Sequence, residues 1–286
     1  MSLPLVSICI PVYNGEPYIF EALNSAVNQT YKNLEILIFD NCSTDRTAEI
    51  IKSFNDSRIS YHLNDKNYGG LYNHNKCLES ANGEFIKLLS ADDLLKPEAI
   101  EKQVDILINN PDVSICITAT NVINAFDEVI MKRQLYKKSL KINGRKIAKK
   151  SLMSGRNFYG EPSCVLFRKD KSRQVGYFDD ILITDLEYWV RLSRVGDVYY
   201  INEFLSDWRL SSTNYTSNFL SIKDVYKNTK LFLVYWDKLL KKHSEFNGIK
   251  LNKFEKMFSK IAVLFMSFLK FIFILFNKIK QDWKKK

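Results

Sequence analysis

The first 110 or so residues alternate between short apolar runs and helical patterns, and few folds accept that order. LVSICIPVY reads as a buried strand, EPYIFEALNSAVNQ as a helix and LEILIFD as a second strand. Ser43 or Thr44 can cap the next helix, with Asp45 in its first turn, where the helix dipole favours an anion. ISYHL is a third strand, GLYNHNKCLESA a helix closed by Asn82-Gly83, and EFIKLLSADD a fourth strand ending in two acids. Pro97 suits the first position of the helix KPEAIEKQVDILINN. This alternation predicts an α/β fold with a mostly parallel, twisted central sheet flanked by helices. Ligands of such sheets bind beyond the carboxyl ends of the strands, so the residues that follow each apolar run are the ones to read for chemistry.

After Pro111 the order changes. VSICITATNVINAF and VIMKRQLY, separated by Asp127-Glu128, read as strands, INGRKIAKKSLMSG as a helix and CVLFRK as another strand. TDLEYWVRLSRVG has helical spacing with Gly196 as a stop, and DVYYINEFLSDWRLS returns as extended chain. From about Ser221 the pattern is helical to the end. We expect a domain over residues 1–220, with halves of about 1–110 and 111–220, and a helical tail over 221–286.

Five cysteines without a close pair argue against a disulfide framework or zinc site and for a reducing compartment. Three scattered histidines, His62, His74 and His243, show no ligand spacing. The chain opens on a strand pattern rather than a secretory leader. The net charge of +10 is concentrated at one end: Lys256 to Lys286 hold eight lysines against one acid, Asp282. A nucleic-acid binder would spread basic residues over the globular part, so nucleic acid is not the expected partner.

Three constellations could carry chemistry. Pro11, Tyr13, Asn14 and Glu16 follow the first strand, and Asp40 ends the second. A tyrosine face can stack on a base, and a carboxylate can accept a uracil imide or ribose hydroxyls; equally, Tyr13 could be a core aromatic and Asp40 a helix-terminal acid. Asp92 and Asp93 close the fourth strand, where adjacent acids suit Mg²⁺ or Mn²⁺ shared with substrate phosphates; the other reading is an acid-rich helix start before Pro97. Asp185, in Thr184-Asp185-Leu186-Glu187-Tyr188-Trp189, could act as a general base on an acceptor hydroxyl or serve as ordinary helix capping.

Taken together, SICIPVYNGEPYI, ALNSAVNQTYKNLEILIFDNCSTDRTAEII, NYGGLYNHNKCLESANGEFIKLLSADDLLKPEAI, PSCVLFRKDKSRQVGYFDD, TDLEYWVRL and WRLS resemble the family 2 inverting glycosyltransferases, whose catalytic domain has the GT-A fold. The resemblance covers roughly residues 5 to 215. It implies that Pro11, Tyr13 and Glu16 line the nucleotide pocket, that Asp40 contacts the base, and that Asn67, Gly69 and Asn75 shape the loop and helix beneath the nucleotide. Asp92 and Asp93 become the acids for ribose and a divalent metal, Mn²⁺ or Mg²⁺. Asp185 becomes the general base, Trp189 and Arg191 the acceptor-side aromatic and arginine, and Arg209 the late arginine near the diphosphate. Four positions depart from the pattern: Ser90 stands where an acid is frequent, although the S-A-D-D form is also familiar in the family, Thr184 replaces the Glu of an E-D pair, Ser211 stands where a histidine often follows Arg209-Leu210, and Cys42 replaces a usual glycine. The implied activity is metal-assisted transfer of a sugar from a nucleotide-sugar donor, UDP-linked by preference, to a glycan or lipid-linked acceptor. The alternative is a catalytically silent nucleotide-sugar-binding or membrane-associated protein on the same fold, motivated by Thr184 and Ser211. A sugar nucleotidyltransferase would want a Gly-rich basic loop after the first strand, and PVYNGEP has one glycine and no basic residue.

IAVLFMSFLKFIFILF, residues 261 to 276, is short for a membrane span and carries an internal lysine. At ~100° per residue, Lys256, Lys260, Ser267, Lys270, Lys278, Gln281 and Lys285 fall on one stripe, interrupted by Val263 and Ile274. The wide remaining face is apolar. We therefore expect an amphipathic basic helix over about 251–283 that lies on a membrane surface, lysines towards the headgroups, and a cytoplasmic, peripheral location on the inner face of the cell membrane; the alternatives are a helix packed on the protein's own domain and a short membrane anchor.

Overall fold

A computed structural model describes residues 3–180, 184–210, 233–234, 236–242 and 251–264. Ser211 and most of the tail, including residues 265–286, lie outside the described residues. The chain forms two compact units, one made of residues 1–144, 159–180 and 184–209, the other of 145–158, 181–183 and 210–286.

The first unit is built on one sheet. Its opening half runs β1 (Val6–Val12), α1 (Ile19–Val27), β2 (Leu34–Asp40), α2 (Thr47–Lys52), β3 (Ile59–Leu63), α3 (Gly70–Ser80) and β4 (Phe85–Leu88). These four strands pair in parallel in the order β3-β2-β1-β4. β1 and β2 are almost continuously apolar because helices cover both faces of the sheet. α1 turns Ile19, Ala22, Leu23 and Ala26 to the core, the spacing of a single helix face. Chain order reverses between β1 and β4, so a switch-point crevice opens beyond their carboxyl ends.

The second half adds β5 (Leu94–Leu95), α4 (Ala99–Asn109), β6 (Val113–Ile123), β7 (Val129–Arg133), β8 (Leu140–Ile142), β9 (Val165–Arg168), α6 (Lys169–Val175), α7 (Thr184–Leu192) and β10 (Asp197–Arg209); α5 (Gly144–Ser154), between β8 and β9 in chain order, belongs from Arg145 onward to the second unit. β9 runs antiparallel between β4 and β6, β6 and β10 are parallel, and β5, β7 and β8 add antiparallel edges. The outcome is the expected α/β sheet flanked by helices, but mixed rather than mostly parallel: parallel pairing holds for β3-β2-β1-β4 and for β6-β10, and the other pairs are antiparallel.

Several boundaries differ from the sequence reading for local reasons. β4 stops at Leu88, and Ser90 to Asp93 form a turn closed by the Asp93 N–H on the Ser90 carbonyl at 3.1 Å, so both acids leave the strand. α4 starts at Ala99 rather than Pro97, because the Lys96 N–H bonds the Leu205 carbonyl at 2.9 Å and draws the preceding residues into the sheet as β5. The short elements β5, β8 and α6 carry too few periods to be read from pattern.

In the second unit, Trp236 and Ser259 are fully buried. The Trp236 indole N–H donates to Ser259 Oγ at 2.8 Å, and the Ser259 hydroxyl donates to the Leu152 carbonyl of α5. No helix among the described residues is long and apolar enough to cross a membrane.

Candidate active site

The loops after β1 and β2 are stitched together by reciprocal bonds. The Asn14 N–H donates to Ser43 Oγ, Gly15 N–H to Thr47 Oγ1 (both 2.8 Å) and Glu16 N–H to Asp45 Oδ2 at 3.0 Å. In return, Thr44 N–H donates to Asn14 Oδ1 at 2.9 Å and Arg46 N–H to Glu16 Oε2 at 3.1 Å. Glu16 is thus partly spent on holding the loop, whereas Tyr13 is half-exposed. Pro11 stays in the ladder opposite Phe39.

Asp40 is fully buried at the end of β2. It accepts the Ser43 N–H at 2.8 Å and the Tyr61 hydroxyl at 2.7 Å. Burial first, then that bond to Asp40, pushes the Tyr61 phenol far above its ordinary value, so Tyr61 stays a donor. Beside it, Cys42 adopts φ 66°, the left-handed region, which is the physical reason a glycine suits this position.

An asparagine network missed in the sequence supports the same end of the sheet. Asn41 donates to Asn67 Oδ1 at 2.7 Å and accepts from Asn64 and from the Tyr68 N–H, both at 3.0 Å. Asn73 donates to the Phe39 carbonyl at 2.6 Å. Asn67 also accepts the Gly69 N–H at 2.8 Å, and Gly69 takes φ 86° to start α3. Asn75 turns elsewhere: its amide donates to the Phe178 carbonyl at 3.1 Å and accepts the Phe178 N–H at 2.8 Å. It pins the segment leading towards α7.

Across the switch point, a Cβ built on Gly15 would lie 3.8 Å from that of Ala91, so the β1 loop abuts the Asp92-Asp93 turn. Asp93 is buried and already engaged, accepting the Arg209 N–H at 2.9 Å and the Ser163 hydroxyl at 2.5 Å. Asp92 is partly exposed. Burial raises both carboxyls above their usual range, and the Asp92 charge pushes Asp93 higher still. Two crowded acids, only partly offset by Arg209, fit a divalent cation, and Asp92 is the more accessible of the two. Among the described residues no group of three or more His, Cys, Asp or Glu side chains forms a self-sufficient cage.

Arg209 ties the end of β10 to this turn. Its Nε donates to the Asp92 carbonyl at 2.8 Å, it pairs with Asp127 at 2.6 Å, and its guanidinium sits 4.4 Å from the Tyr18 ring centroid. A fully buried guanidinium fixed in this way supplies permanent positive charge at the crevice.

Glu161 is a charged residue that the sequence reading also missed. It precedes a 3₁₀ turn, Pro162–Cys164, whose Ser163 bonds Asp93, and it forms an ion pair with Arg133 of β7. Its charge bears on both Asp93 and Asp185. The Asp185 carboxyl, in the first turn of α7, is pushed up to about 6, first by burial and then by Glu161, against the opposing pull of Arg133. The structure therefore gathers Asp92, Asp93, Glu161, Asp185, Arg133 and Arg209 around neighbouring segments at one end of the sheet.

The two residues expected on the acceptor side sit differently. Trp189 is fully buried, packed edge-on against Tyr188 and Phe178 and tilted against Phe167. Arg191 clasps the buried Glu187 at 2.8 Å and donates to the carbonyls of Val175 at 2.5 Å and Tyr177 at 2.7 Å. Both side chains hold α7 in place; neither presents a free face to an acceptor.

The family model described as glycosyl transferase family 2 matches residues 7–176, more than half of the chain. The chain belongs to glycosyl transferase family 2. An uncharacterised glycosyltransferase of Rickettsia typhi is 32% identical over 270 residues, covering 92% of this chain and 80% of the relative. The putative teichuronic acid biosynthesis glycosyltransferase TuaG of Bacillus subtilis is 28% identical over 220 residues, covering 75% of this chain and 82% of TuaG. Among solved structures, S. aureus TarS 1-349 in complex with UDP-GlcNAc superposes with a TM-score of 0.65 at 18% identity, over 93% of this chain and 81% of that one. The mannosyltransferase PcManGT from Pyrobaculum calidifontis, in complex with GDP-Man and Mn²⁺, gives 0.59 at 15% identity, over 95% and 88%. The fold of this family 2 glycosyltransferase is therefore GT-A. The matched span holds Asp40 and the Asp92-Asp93 turn and ends before Asp185.

Proposed function

We propose that this family 2 glycosyltransferase moves a hexose from a nucleotide-sugar donor to an acceptor hydroxyl with inversion at the anomeric carbon. One observation carries the reading: Glu161, paired with Arg133, immediately precedes the turn whose Ser163 bonds Asp93, and its charge bears on both Asp93 and Asp185, so one carboxylate links a prospective base to a prospective diphosphate site. Pro11, Tyr13, Glu16, Asp40, Asn67 and Gly69 form the nucleotide side, with Tyr13 offered to the base. Asp92 and Asp93 are the residues to hold Mn²⁺ or Mg²⁺, and such an ion, when bound, neutralises charge on the diphosphate. Arg209 adds fixed positive charge beside it.

Asp185 accepts the proton of the acceptor hydroxyl as that oxygen bonds the anomeric carbon. The carbon–oxygen bond to the diphosphate breaks on the opposite face, through an oxocarbenium-like state, so a single displacement inverts the centre. Support for the donor class comes from the UDP-GlcNAc and GDP-Man complexes of the two structural neighbours. Support for a surface-polysaccharide or lipid-linked acceptor comes from the likeness to TuaG, and a basic tail adsorbed on the inner face of the cell membrane suits that acceptor.

The test is a panel of nucleotide sugars scored by thermal shift with Mn²⁺, followed by NMR of the product's anomeric proton. The reading predicts stabilisation by one UDP- or GDP-linked hexose, Mn²⁺-dependent in the wild type and Mn²⁺-independent in Asp92→Asn, and an inverted product. A retained anomer contradicts it.

A further inference from the structure

The helix over residues 253–264 of the second unit is seated opposite to the way its sequence suggests. An amphipathic helix that merely completes a domain buries its apolar face. Here the buried line is Ser259 and Val263: Ser259 takes the Trp236 indole N–H at 2.8 Å, and Val263 packs on Gly155. Polar flanks fix the helix further. Glu255 pairs with Lys149 at 2.7 Å and Lys260 with Asp237 at 2.8 Å.

The apolar side is left outward. Phe254, Met257, Phe258, Ile261 and Leu264 are each between 44% and 69% exposed. At ~100° per residue they occupy an arc about 120° wide. Lys253 and Lys256 lie along one border of that arc, beside the Asp237-bound Lys260, where their long stems can run beside apolar groups while their ammonium groups stay in water. Five large apolar side chains on one exposed face form a patch of the kind that marks an interaction surface.

We propose that this face is a docking surface for an anionic lipid bilayer, with the five apolar side chains entering the headgroup–acyl boundary and the bordering lysines meeting the phosphates. The occupant is argued from charge: the segment from Lys256 to Lys286 holds eight lysines and one acid, and a bilayer rich in phosphatidylglycerol supplies the matching sign along with an apolar layer. The proposal rests on the membrane-surface reading above and names the contact: it places that contact on the outward apolar arc, with the polar line of the helix already occupied by the protein itself.

The test uses the full chain and vesicles of phosphatidylcholine with or without phosphatidylglycerol, read by co-sedimentation. The triple variant Phe254→Ser, Phe258→Ser, Ile261→Ser changes exposed positions only, so thermal stability and nucleotide binding should match the wild type. Partition onto anionic vesicles should fall by at least ~10-fold in the variant, and the wild type should prefer anionic over neutral vesicles. Unchanged partition of the triple variant overturns the proposal. So does equal binding to neutral vesicles, or a wild-type dimer without lipid that the same substitutions dissociate. Nucleotide binding is measured on the same samples, so a failure of the sugar-transfer reading shows there without touching the vesicle result.

Discussion

At the residue scale, the proposed chemistry turns on a half-buried carboxylate whose proton affinity is raised by its surroundings. Asp185 is held at about 6, where a general base operating near neutral pH is efficient. With this base, kcat/KM should climb with pH through about 6 and level off above it. Glu161→Gln removes a neighbouring negative charge and leaves Arg133 opposite Asp185, so the acid limb should move to lower pH. A pH–rate profile in which Glu161→Gln leaves the limb in place would detach Glu161 from the base. The same burial has a cost for the fold. A carboxyl raised above its unfolded value contributes stability that is intact below ~4 and is lost as pH rises through about 6. Asp40, Asp92, Asp93 and Asp185 could be singled out in the sequence because acids at strand ends and helix starts stand out against apolar runs, whereas Arg209 was named only through the family resemblance. Glu161 was not legible, since its importance comes from a 3₁₀ turn and an ion pair that no spacing rule encodes. The packing of Trp189 in the core and of Arg191 on Glu187 was not legible for a related reason: a helix start shows which residues are present but not which of them the core claims.

At the element scale, the first four strands and their helices were readable because each run is long, apolar and cleanly punctuated. The antiparallel insertion of β9 between β4 and β6 is set by long-range pairing, which sequence periodicity does not specify. Positioning is also an element property. α3 reaches the segment before α7 through Asn75, whose amide makes two bonds to the Phe178 backbone. Asn75→Ala should lower the melting temperature by the loss of about 1–3 kcal/mol. It should also reduce kcat by roughly tenfold through a looser α7 start, since each 1.4 kcal/mol or so is tenfold in rate. UDP affinity, measured by calorimetry, should change little. A variant that loses UDP binding instead would return Asn75 to the nucleotide side.

At the scale of the whole molecule, the switch point between β1 and β4 explains why distant segments meet. The β1 and β2 loops are laced together, the β4 turn abuts Gly15, and β10 returns Arg209 to that turn. A nucleotide, its diphosphate and an attacking hydroxyl can then be served by different loops of one sheet end. The most direct test is single-turnover sugar transfer by Asp185→Asn, run beside calorimetric UDP binding and thermal melts at pH 7. The expected result is a loss of transfer of ~10²–10⁴-fold or more, with UDP affinity unchanged and a melting temperature at or above that of the wild type, because a buried charge is gone. Transfer near the wild-type rate by that variant would contradict the assignment of the base.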